Sequence, residues 1–134
     1  MALQLGTTLR NALLDQIETT VGTTPYLQIR SGSPPSDCSQ ADSGTLLCEI
    51  HLPSEWAANA SSGSKALAGS WTDTGVAAGT AAHFRLKDNG KTTTHMQGTV
   101  TATGGGGDMT LDNAVIAVGQ TVTVNSFTLS AGNA

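Results

Sequence analysis

The side chains that could carry acid–base or metal chemistry are few and scattered along the chain. The candidates are His51, His83 and His95, with Glu49, Glu55, Asp73 and Asp88. Glu49, His51 and His83 have the spacing to share the solvent face of neighbouring strands, where they would mimic an acid–base or metal cluster. Polar residues also alternate in this way simply because they lie outside a half-buried sheet. We therefore predict no catalytic residue, no metal site and no cofactor, and we expect that the protein is not an enzyme.

The two cysteines, Cys38 and Cys48, lie ten positions apart. Neither has a histidine or a second cysteine beside it at the spacing of a zinc site. The simplest interpretation is two reduced thiols, one in a loop and one facing the core. A disulfide that closes this short loop is the alternative in an oxidising medium.

Length and charge limit the function classes. The 134 residues predict one domain spanning residues 1–134, with one modest core. The net charge of −4, with only 6 Lys and Arg, argues against a nucleic-acid partner. Lys65, Arg85, Lys87 and Lys91 make the middle of the chain locally basic, either to steer docking onto an acidic protein or to guard a solvated strand edge. The sequence has neither a long apolar run nor the order of a signal peptide, so we expect no membrane partner and synthesis in the cytoplasm.

One amphipathic helix is predicted near the N-terminus, over residues 7–22. Thr7 or Thr8 could cap its start, and Gly22 would stop it. Residues at intervals of three and four form the predicted buried stripe, namely Leu9, Ala12, Leu13, Gln16, Ile17 and Val21. This stripe needs a partner surface, either the sheet of the same subunit or a neighbouring subunit.

The rest of the chain predicts an all-β domain over residues 25–130, built as an antiparallel β-sandwich. Alternating apolar and polar residues mark strands at 25–30, 45–52, 80–87, 92–103 and within 108–129. Pro34 and Pro35 indicate a stiff, exposed loop. In the strand at 80–87, His83, Arg85 and Lys87 are expected to point outward.

Two hairpin turns follow from the alternation. A three-residue turn over 88–90, with Gly90 in the left-handed conformation, keeps the apolar faces of strands 80–87 and 92–103 together. A two-residue turn at 119–120 would place Val115 and Ala117 on the core side. Ile116 and Val118 would then point outward with no assigned cover, and a bulge is expected near residues 125–126.

The two tryptophans, Trp56 and Trp71, lie in an irregular segment rich in small residues. Each could plug one end of the sandwich. The alternative is that a tryptophan stands exposed as an interface anchor.

The order of motifs in the chain resembles a group of small all-β virion proteins of tailed bacteriophages, which includes capsid cement, or decoration, proteins. The motifs run from LRNALL, through IRSGSPPSD, GTLLCEIHLP and AAGTAAHFRLKDNGKTTTHMQGTV, to MTLDNAVIAVGQTVTVNSFTL. The resemblance covers residues 9–129 and rests on structural motifs. It implies a jelly-roll-like fold on the outside of a capsid that bridges neighbouring major capsid subunits.

The resemblance and the residue patterns together predict a virion structural protein, assembled in the bacterial host cytoplasm and placed on the capsid exterior. Its expected partners are the major capsid protein and further copies of itself, as a homodimer or homotrimer. The expected contact residues are Leu13, Ile17, Trp56, Ile116 and Val118. The alternative is a tail or head–tail accessory β-sandwich that binds a host receptor or glycan through exposed aromatic side chains.

Overall fold

The computed structural model describes residues 3–132 and contains one helix followed by ten strands. The elements are α1 (Thr7–Val21), β1 (Tyr26–Arg30), β2 (Leu46–His51), β3 (Ser64–Ala66), β4 (Thr72–Thr74), β5 (Gly79–Thr80), β6 (His83–Lys87), β7 (Thr94–Ala102), β8 (Met109–Leu111), β9 (Val115–Ile116) and β10 (Thr121–Ser130). The single helix and the β-rich remainder are as predicted. Gly22 ends the helix with φ 88°, whereas Gly6 takes the N-cap position without a side-chain cap, so the prediction of a threonine cap is wrong.

The strands form one curled, mixed sheet and one small two-stranded sheet. The order in the large sheet is β2-β1-β6-β7-β8-β10-β3, with β4 also paired to β10, and β5 pairs with β9 separately. The pair β7–β8 is parallel, while the other pairs of named strands are antiparallel. The predicted purely antiparallel sheet is therefore wrong at this one position.

A glycine-rich connector explains the parallel pair. Parallel neighbours normally need a long crossover, but residues 103–108 fold back at once and place Met109 beside Val100. The Gly107 amide donates to Thr101 Oγ1 at 3.0 Å. A Cβ at Gly105 would come within 2.7 Å of the Thr101 side chain, so this close return requires glycine.

The edge strand β2 contacts the end of β4, the strand paired to β10. Cys48 of β2 forms a bridge with Gly75, directly after β4, and its thiol donates to the Thr74 carbonyl at 3.4 Å. Val76 N also donates to Leu47 O at 2.7 Å. The free edge of β2 is therefore covered at Leu47 and Cys48, which hinders pairing with another chain at that position.

Both tryptophans lie in the core enclosed by the curled sheet. Trp56 and Trp71 are 0% and 1% exposed, with ring centroids 6.1 Å apart. Trp56 Nε1 donates to Gly22 O at 3.0 Å, at the end of α1, which satisfies the indole within the subunit. The prediction that both tryptophans are buried is confirmed, but the two rings lie side by side and do not each plug one end. The expectation that Trp56 is an exposed contact residue is wrong.

The β6–β7 turn differs from the predicted three-residue turn. Lys91, with φ 58°, takes the left-handed conformation, and Gly90 does not. The cause is the Asp88 carboxylate, which accepts the backbone N–H groups of Thr92 and Thr93 at 2.8 and 3.2 Å and widens the loop to residues 88–93. A register shift at the end of β6 still sets apolar Leu86 opposite Met96. The predicted bulge near residues 125–126 is confirmed in the β8–β10 pairing.

Candidate docking surfaces

The helix α1 packs on the sheet through a largely polar side. Its Asn11 Oδ1 accepts Gly63 N and its Asp15 Oδ1 accepts Ala60 N, each at 2.9 Å. Leu14 and Val21 are the buried apolar residues of the helix. Much of the predicted stripe therefore faces away from the sheet, because polar contacts to the segment around β3 set the rotation of the helix.

Lys65 of β3 is the centre of these contacts. Its side chain has no exposed surface, and its Nζ lies 2.8 Å from Asp15, 3.0 Å from Glu18 and 3.0 Å from the Ala58 carbonyl. Burial acts to lower the pKa of Lys65, but the hydrogen bonds that its ammonium donates to Asp15 and Glu18 outweigh burial and hold the pKa above its ordinary value. Two of the three ammonium donors therefore bind the helix, and the third binds the Ala58 carbonyl of the same subunit.

The opposite side of the helix carries exposed apolar residues. Leu9 and Leu13 are each 51% exposed, and Ile17 is half-buried against the core. Beside them, Met96 of β7 helps to line a groove of about 330 Å³ that runs along Leu13 and Ile17. We call Leu9, Leu13, Ile17 and Met96 the helix patch. Exposed, contiguous apolar surface of this kind is typical of protein contact sites.

A second apolar surface lies at the small β5–β9 sheet. Val76, Val115 and Val118 are 57%, 62% and 70% exposed, and we call these three residues the end patch. Ile116 is 1% exposed, so its predicted outward position is wrong, as is the inward position of Val115. The cause is the strand partner: β9 pairs with β5, where Ile116 lies opposite Gly79, and not with β10 across the 119–120 turn.

The end patch cannot readily accept an added strand, because side chains already bond its backbone edge. Asn113 Oδ1 accepts Val115 N at 3.0 Å, and Gln120 Oε1 accepts Ala117 N at 3.1 Å. Residues 75–82 and 113–121 contain no charged side chain. A partner here would pack on the apolar side chains, without like charges brought together.

The loop between β1 and β2, residues 31–45, folds over the polar face of β6; we call it the cover loop. His83 and Arg85, predicted to point into solvent, are 0% and 1% exposed beneath it. Asp42 is its main anchor, with ion pairs to Arg30 at 3.0 Å, Arg85 at 2.6 Å and Lys87 at 2.7 Å. Partial burial acts to raise the pKa of the Asp42 carboxyl, but the Lys87 hydrogen bond and the neighbouring cations hold it below its ordinary value.

The basic residues of the middle segment do not form a free cationic surface. Lys65 is buried against the helix carboxylates, Arg85 and Lys87 bind Asp42, and Lys91 lies 2.5 Å from Glu49. These residues were predicted either to bind an acidic partner or to guard a solvated strand edge, and the structure supports neither role. Asp42 was not singled out in the sequence, because nothing in its local pattern indicates three distant cations.

The three residues of the acid–base hypothesis are not brought together. In β1, Tyr26 is paired with His51 at one end, and Arg30 is paired with His83 at the other. The two histidines are therefore offset by about 13 Å along the strands and lie on opposite sides of β1. Glu49 is occupied by Lys91. Among residues 3–132 there is no group of three or more His, Cys, Asp and Glu side chains arranged to hold a metal ion.

The aromatic residues offer no exposed platform of the kind that the glycan hypothesis requires. Both tryptophans are buried. Tyr26 is stacked on His51, with centroids 4.2 Å apart, and Lys91 Nζ lies 4.1 Å from the Tyr26 ring centroid. The Tyr26 ring is therefore already engaged by two neighbours within the subunit.

The cysteine thiols differ in environment, as predicted, and both are free. Cys38 is partly exposed in the cover loop, whereas burial, reinforced by the charges of Asp73 and Glu49, raises the pKa of Cys48 to about 12.

We expect one thiol of the native protein, that of Cys38, to react quickly with a chromogenic disulfide at pH 8. The second should react only as fast as the chain opens; equal rates for both would contradict this assignment.

Comparison of the chain with protein-family models, with curated proteins and with solved structures finds no match. In the part of the chain that the structure describes, no helix is both long and apolar enough to span a membrane.

The residues that sequence reasoning missed are Val76 and Val115 of the end patch, together with Leu14, Lys65 and Asp42 as anchors. Among them, only Lys65 was marked in the sequence, by its positive charge, and that charge indicated an exposed side chain and not a buried anchor.

Proposed function

We propose that this chain is a non-enzymatic virion structural protein, a capsid cement or decoration protein that lies on the capsid exterior and bridges neighbouring major capsid subunits. The motif resemblance over residues 9–129 supports the class. The observation that carries the proposal is the helix patch: Leu9 and Leu13 remain 51% exposed because ion pairs, and not these side chains, hold the helix on its own subunit. A jelly-roll-like sandwich arrangement of the curled sheet is part of the same proposal.

The helix patch is assigned to the major capsid protein. Covering both half-exposed leucines would contribute about 1–3 kcal/mol, which makes one contact weak. A cement protein needs no tight single contact, because several weak contacts made by one oligomer reinforce each other on a repeating surface. The groove of about 330 Å³ beside Leu13 and Ile17 provides a recess for an apolar side chain of that partner.

The end patch is assigned to self-association, as a homodimer or homotrimer. Every copy carries a net charge of −4, so copies repel each other except where contact surfaces are uncharged. Residues 75–82 and 113–121 meet that condition, and Val76, Val115 and Val118 provide the apolar area. Val115 and Val76 thus replace Ile116 in the proposed interface.

A charge placed in the helix patch tests the capsid contact. We expect Leu13→Glu to bind shells of the major capsid protein from the same phage genome at least about tenfold more weakly, because a carboxylate would be buried. Binding is measured by co-sedimentation with the shells. Thr8→Glu is the matched control, since it adds the same charge to an exposed helix position outside the patch, and it should bind like the wild type. Full binding by Leu13→Glu would refute the assignment.

A charge placed in the end patch tests self-association separately. We expect the wild type to sediment as a dimer or trimer and Val118→Glu to sediment as a monomer, because the new carboxylates would face each other across the contact. Thr72→Glu, at another exposed position, is the control and should keep the wild-type mass. A wild-type chain that is monomeric at about 100 µM, where even contacts of micromolar affinity are largely formed, would overturn this part of the proposal.

The alternative of a tail or head–tail accessory protein that binds a host receptor or glycan lacks a supporting feature. Trp56 and Trp71 are buried, and Tyr26 contacts His51 and Lys91. Electron microscopy of particles labelled through Cys38 would distinguish the two locations, since label over the whole shell favours cement and label at the tail favours the alternative.

A further inference from the structure

The polar face beneath the cover loop contains three buried atoms with no hydrogen-bond partner among the described residues. They are His83 Nε2, Arg85 Nε and Gln97 Oε1. The His83 and Arg85 side chains are essentially inaccessible to solvent. Unpaired buried polar atoms are rare in native proteins because each one loses its bond to water on folding. Three of them on one face indicate a shared partner.

The three side chains lie close enough to share one small ligand. Arg85 is paired with Gln97 across the β6–β7 ladder, and His83 is two positions before Arg85 on the same face. In an antiparallel pair, direct partners are about 5 Å apart and diagonal neighbours about 7–8 Å apart, within the reach of long side chains. One molecule with bonds of about 2.8 Å to each atom can therefore join them.

Existing hydrogen bonds fix what each atom can do. His83 Nδ1 lies 2.8 Å from the Gly32 carbonyl, which can only accept, so Nδ1 carries the hydrogen and Nε2 of the neutral ring is an acceptor. Gln97 Nε2 donates to the Pro35 carbonyl at 2.8 Å, which leaves Oε1 as an acceptor. Arg85 Nε is a donor in every state. The set is therefore one donor and two acceptors.

We propose that a single ordered water molecule binds here, accepting from Arg85 Nε and donating to His83 Nε2 and Gln97 Oε1. Water is the small ligand that combines one accepted bond with two donated bonds, and three bonds are typical of buried water. An anion would be repelled by the lone pairs of the two acceptors, and a metal cation would be repelled by the positive charge of the Arg85 guanidinium. Neither fits this set of groups.

The water contributes to the attachment of the cover loop. It bonds the same His83 ring and Gln97 amide that hold the carbonyls of Gly32 and Pro35 in that loop. It also holds His83 in the tautomer that donates to Gly32. This site is independent of the two docking surfaces, so its test does not depend on the proposed function.

A crystal structure at about 1.5 Å resolution gives the direct test. A density peak within about 3.2 Å of all three atoms is the expected result. A direct bond between Arg85 Nε and Gln97 Oε1, without a peak, would overturn the proposal. The ¹⁵N shifts of His83 at pH 8 are the second test: hydrogen on Nδ1 supports the proposal, and hydrogen on Nε2 contradicts it.

A variant provides a solution test. Water-oxygen relaxation dispersion counts long-lived internal waters, and Gln97→Leu should have one fewer than the wild type. Gln16→Leu, the same change at an exposed helix position, should keep the wild-type count. An unchanged count in folded Gln97→Leu would overturn the proposal. If this variant does not fold, the crystal structure and the His83 shifts of the wild type decide the question.

Discussion

Lys65→Ala should lower the free energy of unfolding by about 2–4 kcal/mol and loosen α1 from the sheet. The substitution removes the three bonds of the ammonium group to Asp15, Glu18 and Ala58, as well as the packing of the buried side-chain stem. It also leaves two carboxylates side by side on the helix. The loss should be smaller than for a fully buried pair, because the Asp15 side chain is 46% exposed and regains water.

Chemical denaturation at pH 7 measures this loss, and the far-ultraviolet circular dichroism of α1 reports the helix. The control is Lys91→Ala, which breaks an ion pair to Glu49 at a lysine side chain that is 42% exposed, and should cost much less. Because the pKa of Lys65 lies above its ordinary value, its contribution is complete below about pH 10 and is lost as the pH rises further. Equal losses in the two variants would show that the helix is not held by this ion pair.

The existence of the helix could be predicted from the sequence, but its rotation could not. Spacing of apolar residues placed Leu9 and Leu13 on the buried side, because a local pattern assumes that the apolar stripe faces the core. The orientation is set by Lys65, about 50 positions from Asp15, whose ion pairs outweigh the burial of two leucines. Leu9 and Leu13, which the pattern placed in the core, are therefore exposed and can contact a partner.

The strand alternation could likewise be predicted, but the strand partners could not. Period-two alternation shows that Ile116 and Val118 share a side, whereas which side is buried depends on the neighbouring strand. Pairing with Gly79 of β5 turned Ile116 into the core, and Val118, beyond the end of β9, became exposed. Of the predicted contact residues, Leu13 and Val118 are exposed and Ile17 is half-buried. Trp56 is buried, and its indole donates to Gly22 O.

The burial of the polar face of β6 could not be predicted from the local pattern either. His83 and Arg85 alternate with apolar residues as a solvated face would, and the Pro34–Pro35 segment has the composition of an exposed loop. The structure joins the two, since a loop whose carbonyls accept from Arg85 and His83 can cover a polar face without unpaired charge. Composition predicted the loop, and only the tertiary contacts show that it covers a cationic surface.

Asp42→Ala should release the cover loop and lower the free energy of unfolding by about 3 kcal/mol. Three cations, Arg30, Arg85 and Lys87, share this carboxylate, and the Arg85 side chain is 1% exposed. Removal of the carboxylate leaves a buried guanidinium beside two further positive charges. Water cannot solvate Arg85 unless the loop opens, so faster proteolysis within residues 31–45 should accompany the loss of stability.

The control and the pH dependence separate this effect from a general change in the loop. Asp37→Ala removes a carboxylate of the same loop whose partners, Ser39 and Gln40, also belong to that loop, and should leave both stability and proteolysis near wild type. The pKa of Asp42 lies below its ordinary value, so its contribution is complete above about pH 4 and is lost as the pH falls through the folded-state pKa. The difference between wild type and Asp42→Ala should therefore be constant from about pH 5 to 8 and shrink in stronger acid. A difference that stays unchanged as the Asp42 carboxyl becomes protonated in acid would show that charge on Asp42 is not what holds the loop.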